Sequence, residues 1–461
     1  MIVGIIIYIV LQFGIGVWVS RRVKNEADYL LAGRNLGLLL ASFSIFATWF
    51  GAETVVGAAG AVYTNGLAGC SADPFGYVLV IFIIGFIYAR PLWRGGYTTF
   101  ADFFRTRFSP TVERVAILLM VPSSIIWSAA QIRAFGQVVS ATTGLDVNLA
   151  IVAATIVIIG YTAVGGMLAD AWTDVIQGVV LILGLIVIAV ALLWQVPTGT
   201  LSASMTPDRL RLFDSSEESL VMLAEAWLVP VLGSLFAIEL ISRVLACRSA
   251  EVARRACWLG GGIYLTLGMI PVIIGLIGPT LRPDLAEPEQ LIPELARVHL
   301  SPLLYVLFSG ALISAILSTV DSALLASSAL VSHNLLRPAL PRMSDRHQVQ
   351  VARLCVAAFG LIAFVLAIQS ETIERLIALS SAFGGAGLAV VAMFGLHTKR
   401  GGSLSALATL ASGLLVWSVA HWQDWSAPFV TSLPIVVVVY WLVSSMEDAT
   451  NPTDPTDVRP I

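Results

Sequence analysis

Apolar runs long enough to cross a bilayer recur along almost the whole chain, separated by short polar connections. A spanning helix needs about 20 mostly apolar residues, and on that criterion the pattern predicts about thirteen spans. They fall at 2–20, 36–64, 75–93, 114–140, 146–164, 169–195, 218–244, 256–279, 301–333, 349–369, 373–396, 403–421 and 426–445. One span departs from the rest. Between Ala311 and Asn334 the apolar background carries Ser314, Ser318, Thr319, Asp321, Ser322, Ser327 and Ser328. Hydroxyls can bond back to their own helix. A carboxylate near the bilayer centre costs roughly 2.5–3.5 kcal/mol even on the lenient insertion scale, so this span must face protein, water or a cation. It reads as the wall of an ion path.

Composition agrees with a membrane setting, since 57% of the 461 residues are apolar and 12% are charged, a balance foreign to soluble domains of this size. Positive charge sorts by loop and predicts orientation. With the N-terminus outside, inner loops hold Arg21, Arg22, Lys24 and Arg34, then Arg90, Arg94, Arg105 and Arg107, then Arg243, Arg248, Arg254 and Arg255. The outer side offers Arg209, Arg211, Arg282 and Arg297. An odd number of spans then places the acidic tail, 447–461, in the cytoplasm of a cell bounded by the plasma membrane. The net charge of −3 marks no nucleic-acid partner, because the basic residues are topological. Four cysteines, Cys70, Cys247, Cys257 and Cys355, show neither a disulfide framework nor metal-ligand spacing. The opening apolar run lacks a basic segment before it and is followed by one, which suits a retained anchor helix rather than a cleaved signal.

No polar stretch is long enough to bury a core of its own, so residues 1–446 read as a single membrane domain. Setting aside 1–35 and the closing pair of spans in 401–446 leaves two halves, 36–200 and 201–400, of five spans each. Five plus five is the layout of an inverted repeat, in which the first helix of each half is interrupted near the midplane. The first span of the first half has Gly51, Gly57 and Gly60 around Thr48, Glu53 and Thr54, and that of the second half has Pro230 and Gly233 with Ser234 and Glu239. A glycine in a membrane helix can simply permit close packing. The matched pair with carboxylates points instead to unwound backbone that frees carbonyls for cations.

Four stretches carry a family resemblance: Asp28-Tyr-Leu-Leu-Ala-Gly-Arg34, Thr99-Phe-Ala-Asp-Phe-Phe-Arg-Thr-Arg-Phe108, Tyr161-Thr-Ala-Val-Gly-Gly166 leading to Thr173, Asp174 and Gln177, and Ser318-Thr319 with Asp321-Ser322. In this order and at these depths the chain resembles the sodium:solute symporter family, whose members carry sugars, proline, pantothenate, sialic acid and similar solutes. The resemblance implies an all-α membrane protein of the leucine-transporter type and sodium as coupling ion. It also implies a sodium site made by the carbonyls of Ala47 and Phe50 on the broken helix and by Ala315, Ser318 and Thr319 opposite. The chemistry suits a hard cation that prefers oxygen, and the i, i+3, i+4 spacing puts the last three on one helix face.

Some relatives have a second cation site at the positions of Asp174, Ser318 and Ser322. Here Asp321 replaces the hydroxyl beside Ser322, which either strengthens that site or supplies a group that binds protons. Asp174 also reads as a first-turn acid favoured by the helix dipole. For the solute, Trp49, Glu53, Gln131, Arg133 and Glu239 are the candidate contacts. Arg133 either holds a solute carboxylate, as for an amino acid, or pairs with Glu53 or lipid phosphates. Trp49, Phe50, Trp127 and Phe383 are candidate stacking or gating rings. Trp49 stands where proline carriers have an aspartate, and Ala237-Ile-Glu239 where they have a Gln-Pro-containing segment, which argues against proline. The expected activity is sodium-coupled import of a small polar solute by alternating access. Proton coupling and a transporter-like sensor acting through a partner are the alternatives. Enzyme motifs such as His-Glu-x-x-His or Gly-x-Ser-x-Gly do not occur, and His333 and His397 stand alone at helix ends.

Overall fold

In the computed structural model of the protein, residues 2–197, 199, 203–213, 220–370 and 373–450 are described, and all of their regular elements are helical. Nine described helices are long and apolar enough to cross a membrane. Several passes are composite, some of these nine among them. Val147–Gln195 leaves helical geometry at Gly166 (φ 67, ψ 177) and so makes two crossings. Leu38–Trp49 continues through a π-helical turn, Glu53–Gly57, into Ala58–Asn65. Gly384 (φ 69) interrupts the pass formed by Ile373–Ala382 and Gly385–His397. With Ile2–Ser20 in front, these pieces supply the passes that the hydropathy pattern predicts.

Polar and apolar residues are distributed inside out relative to a soluble protein. Ile156, Leu183, Leu193, Leu354, Leu361 and Leu415 lie on the outer surface, whereas Ser44, Thr48, Asp174, Ser318 and Ser322 are buried. Lipid can cover the former, and the latter must satisfy one another. The serine-rich helix Pro302–Ala329 sits at the centre, buried at every position from Ala311 to Ala329. It packs against Val147–Gln195, Pro110–Thr143, Asp345–Gln369 and Leu38–Trp49.

Small residues set the closest approaches. A Cβ on Gly60 would lie 2.9 Å from the Glu289 amide, so the loop ahead of helix Leu291–His299 rests directly on the first broken helix. That short helix buries Leu291, Ile292, Leu295 and Ala296, as an amphipathic cap should. The last helix, Pro428–Thr450, includes Glu447, which was expected to open the tail. Its carboxylate accepts from the Gly402, Leu404 and Ser405 amides at 2.7, 2.8 and 3.0 Å, capping Ser403–Trp422. The rest of the expected tail lies outside the described residues.

Gly166 makes the sharpest demand on the sequence. Its backbone angles are a region that other residues avoid at about 1–3 kcal/mol, and a Cβ there would fall 2.7 Å from the Tyr29 ring. Gly166→Ala should therefore melt clearly below Gly262→Ala, where nothing lies within 4 Å of the added methyl. Equal melting temperatures in detergent would refute the kink's role.

Candidate functional site

Leu38–Trp49 ends because Phe50 leaves the helix (φ −76, ψ 70). The Gly51 amide turns to the Trp49 carbonyl at 2.8 Å instead of reaching Ala47 four residues back, which leaves the Ala47 carbonyl at the electronegative end of the helix. The Phe50 ring turns away to pack on Phe46 and Tyr264, both with centroids at 4.9 Å. A Cβ on Gly51 would fall 2.9 Å from both Thr319 Oγ1 and Gln131 Oε1. The break thus presses bare backbone against the serine-rich helix.

Hydroxyl protons at this junction are committed to acceptors within the protein. Thr319 Oγ1 donates to the Ala315 carbonyl at 3.1 Å. Ser318 Oγ donates to Asp174, whose other oxygen accepts from Ser44 Oγ at 2.5 Å. Thr48 Oγ1 donates to the Ser44 carbonyl at 2.6 Å and lies 3.4 Å from Ser322 Oγ. A hydroxyl whose proton is committed elsewhere turns its lone pairs outward and is a better cation ligand, as outer carboxylates do for metal sites. Gln131 adds an orphan: it is fully buried, and neither amide atom has a partner among the described residues. Ala47, Phe50, Ala315, Ser318 and Thr319 therefore border one oxygen-rich junction, with Asp174 bonded behind it.

Asp321 and Ser322 lie beside that junction within a larger charged cluster. Carboxylate oxygens of Asp170, Asp174 and Asp321 lie within 4.8 Å of one another. Arg243, expected in an inner loop, is instead fully buried in helix Ile238–Ala246, where it pairs with Asp170 and also donates to Ser322 Oγ. The loop assignment fails because a guanidinium at a span end can turn inward when buried acids are there to receive it. A second buried acid escaped the sequence reading. Asp73 accepts from Thr54 Oγ1 at 2.6 Å and from Tyr264 at 3.0 Å. Its signal was the Asp73-Pro74 pair just ahead of the expected span 75–93.

The second break, Ser234–Ala237, faces the first across a cavity of about 60 Å³. Its walls include Trp49, Tyr77, Trp127, Phe383 and Glu239. Trp49 Nε1 donates to Glu239 Oε1 at 3.1 Å, and ring centroids are 5.3 Å apart for Trp49 and Tyr77 and 6.1 Å for Tyr77 and Trp127. Of the expected solute contacts, Trp49 and Glu239 are in the wall. Glu53 stands behind Tyr77, which donates to it at 3.0 Å, and Gln131 lies instead at the hydroxyl junction beside Gly51. Arg133 lies elsewhere, donating to the Ala367 carbonyl at 3.0 Å.

Residues 29–413 match the model of the sodium:solute symporter family. The high-affinity choline transporter 1 of Torpedo marmorata is 30% identical over 411 residues, 82% of this chain and 69% of that protein. The high-affinity proline transporter PutP of Bacillus subtilis (strain 168) is 25% identical over 462 residues, 94% of this chain and 96% of the relative. Among solved structures, a substrate-bound outward-open state of a Na+-coupled sialic acid symporter matches at TM-score 0.83 and 18% identity over 97% of both chains. A nucleobase-cation-symport-1 family transporter in a closed conformation matches at 0.63 and 17%, over 94% of this chain and 98% of the other. The fold is that of the leucine-transporter type, an all-helical multi-pass membrane protein.

The bonding at the junction makes Asp174 a positioning group for Ser318. Ser318→Ala and Asp174→Asn should each weaken sodium binding about 10–100-fold, read as the sodium concentration that half-saturates thermal stabilisation. Unchanged half-saturation in both variants would remove the junction from consideration as a cation site.

Proposed function

Because the chain belongs to the sodium:solute symporter family, in which sodium is the coupling ion, we propose that it imports a small organic cation with an alkylated ammonium head together with sodium. The aromatic cavity carries this reading. Trp49, Tyr77 and Trp127 present three neighbouring rings, Glu239 contributes a carboxylate, and no Lys, Arg or His is among the described lining residues. An alkylammonium gains about 0.5–2 kcal/mol from each well-placed ring face and more from a nearby carboxylate. A solute carboxylate would find no basic side chain in those walls, since Arg133 is directed to Ala367. Trp127 Nε1 is buried without a partner among the described residues and offers a donor to a solute hydroxyl. The choline transporters among the relatives take a solute of this chemistry by name.

Sodium binds, in this reading, at the carbonyls of Ala47, Phe50 and Ala315 with the hydroxyls of Ser318 and Thr319. The same helix break that supplies Ala47 and Phe50 also positions Trp49 in the solute cavity, so ordering it for the ion orders it for the solute. Reciprocal linkage then raises affinity for each in the presence of the other. Alternating access releases both to the cytoplasm of a plasma-membrane carrier with its N-terminus outside. A cationic solute with one sodium moves two charges, so about 100 mV contributes roughly 5 kcal/mol to uptake.

Thermal stabilisation of the purified protein by choline, betaine, proline and sialic acid, with sodium or potassium as the salt, tests the solute class. Choline should stabilise in sodium, and Glu239→Gln should lower its affinity about tenfold or more, the equivalent of about 1.4 kcal/mol. Stabilisation by proline or sialic acid without any by choline would refute the cationic solute. A choline effect independent of sodium would favour proton coupling or a sensor.

A further inference from the structure

We propose that Phe429 of the last helix, held in place by Glu225, is a positioning residue for the solute cavity, a wedge against which the interruptions of two other helices close. Glu225 lies in Leu220–Leu228, the segment that runs through a π-helical turn, Val229–Gly233, into the second break. A carboxylate in an apolar span must be bonded or solvated. Its two oxygens accept from the Phe429 and Val430 amides at 2.9 and 2.7 Å. Those amides belong to the first turn of Pro428–Thr450, where N–H groups have no partner within the helix, and Ala427 just ahead has no side-chain oxygen to give. The negative charge also suits the positive end of the helix dipole. Glu225 thereby ties the second broken helix to a helix turn 204 residues away in the chain.

The tie fixes one ring. Phe429 is fully buried, and its Cε2 would lie 3.6 Å from a Cβ on Gly233 and 3.3 Å from one on Gly385. Gly233 ends the π-helical turn before the second break, and Gly385 opens the helix that follows the kink at Gly384. The two glycines also meet each other, since a Cβ on Gly385 would fall 3.0 Å from the Gly233 Cα. Both line the solute cavity together with Ser381, and Phe429 stands one layer behind them. An interrupted helix lacks the ladder bonds that keep it stiff, so close packing must hold the wall at these two places. A cap that served only the last helix would work wherever the first-turn side chain pointed. Here that side chain reaches the two glycines where the cavity wall has no continuous helix.

This inference rests on the cavity being the solute site, and the test keeps the two apart. Amide hydrogen exchange of the full-length protein in detergent reads the wedge without any solute. In Phe429→Ala, segments 230–238 and 380–387 should exchange about tenfold faster or more than in the wild type, with 44–52 at the proposed sodium site unchanged. Choline affinity, read by thermal stabilisation in sodium, should fall about tenfold in the same variant, and sodium half-saturation without choline should keep its wild-type value. Phe429→Leu, which keeps much of the ring's volume, should restore most of both losses. Should Phe429→Ala not fold, Glu225→Ala carries the same comparison, with Glu225→Gln less affected because it keeps one acceptor oxygen. Unchanged exchange in the two segments, or equal acceleration in every segment, would overturn the wedge. Faster exchange there with choline affinity unchanged would overturn its part in positioning the solute site. If choline failed to bind the wild type while the exchange pattern held, the cationic solute would fall and the wedge would stand.

Discussion

Ser318 and Asp174 meet where a lipid-embedded chain tolerates polarity least. Within hydrocarbon no water completes an unsatisfied hydroxyl or carboxylate, so each must find a partner inside the protein. The serine-rich helix solves this by surrounding itself with other helices along its whole polar length. Asp174 then joins three segments by accepting from Ser44 on the broken helix and from Ser318 on the serine-rich one. The same bonds commit the protons of Ser44 and Ser318, close to the backbone of Gly51. Stability and the proposed ion site therefore draw on one set of contacts.

Charge in the interior follows the same logic at higher stakes. An isolated buried ion is strongly disfavoured, and breaking a buried pair by removing one partner typically costs about 3–5 kcal/mol. Arg243 faces three acids in a fully enclosed setting. Such a cluster is poor as a source of stability and well suited to fixing one arrangement of the helices it joins. It lies between Glu239 in the cavity wall and Asp174 at the hydroxyl junction.

Much of this was legible in the sequence. Hydropathy marked the passes, and glycine and proline with nearby acids marked both breaks, because an interrupted membrane helix needs residues that tolerate unwinding. Ser318, Thr319 and Asp321 stood out because polar residues in an apolar span have few bland explanations. What escaped depended on partners far away in the chain. Arg243 resembled the other span-end arginines, and nothing local shows that Asp170, 73 residues earlier, awaits it. Arg133 looked like a solute ligand because a charge in a span must be neutralised or solvated, whereas a backbone carbonyl at Ala367 meets it. The aromatic cavity was half visible: Trp49, Trp127 and Phe383 were candidate rings, but Tyr77 joins them only through the packing of separate helices. Gly166 was placed between two spans, and the connection proved to be a single residue with a strained backbone rather than a loop.

The central claim is that one helix break serves both ion and solute, and reciprocal linkage is its most direct consequence. Choline affinity measured without sodium and at saturating sodium, beside sodium affinity measured without and with saturating choline, gives two ratios. The account predicts that they are equal and fall within about 5–150-fold, the ordinary range of coupling between sites. Ratios of one in both directions would contradict it, because the two ligands would then bind without sensing each other.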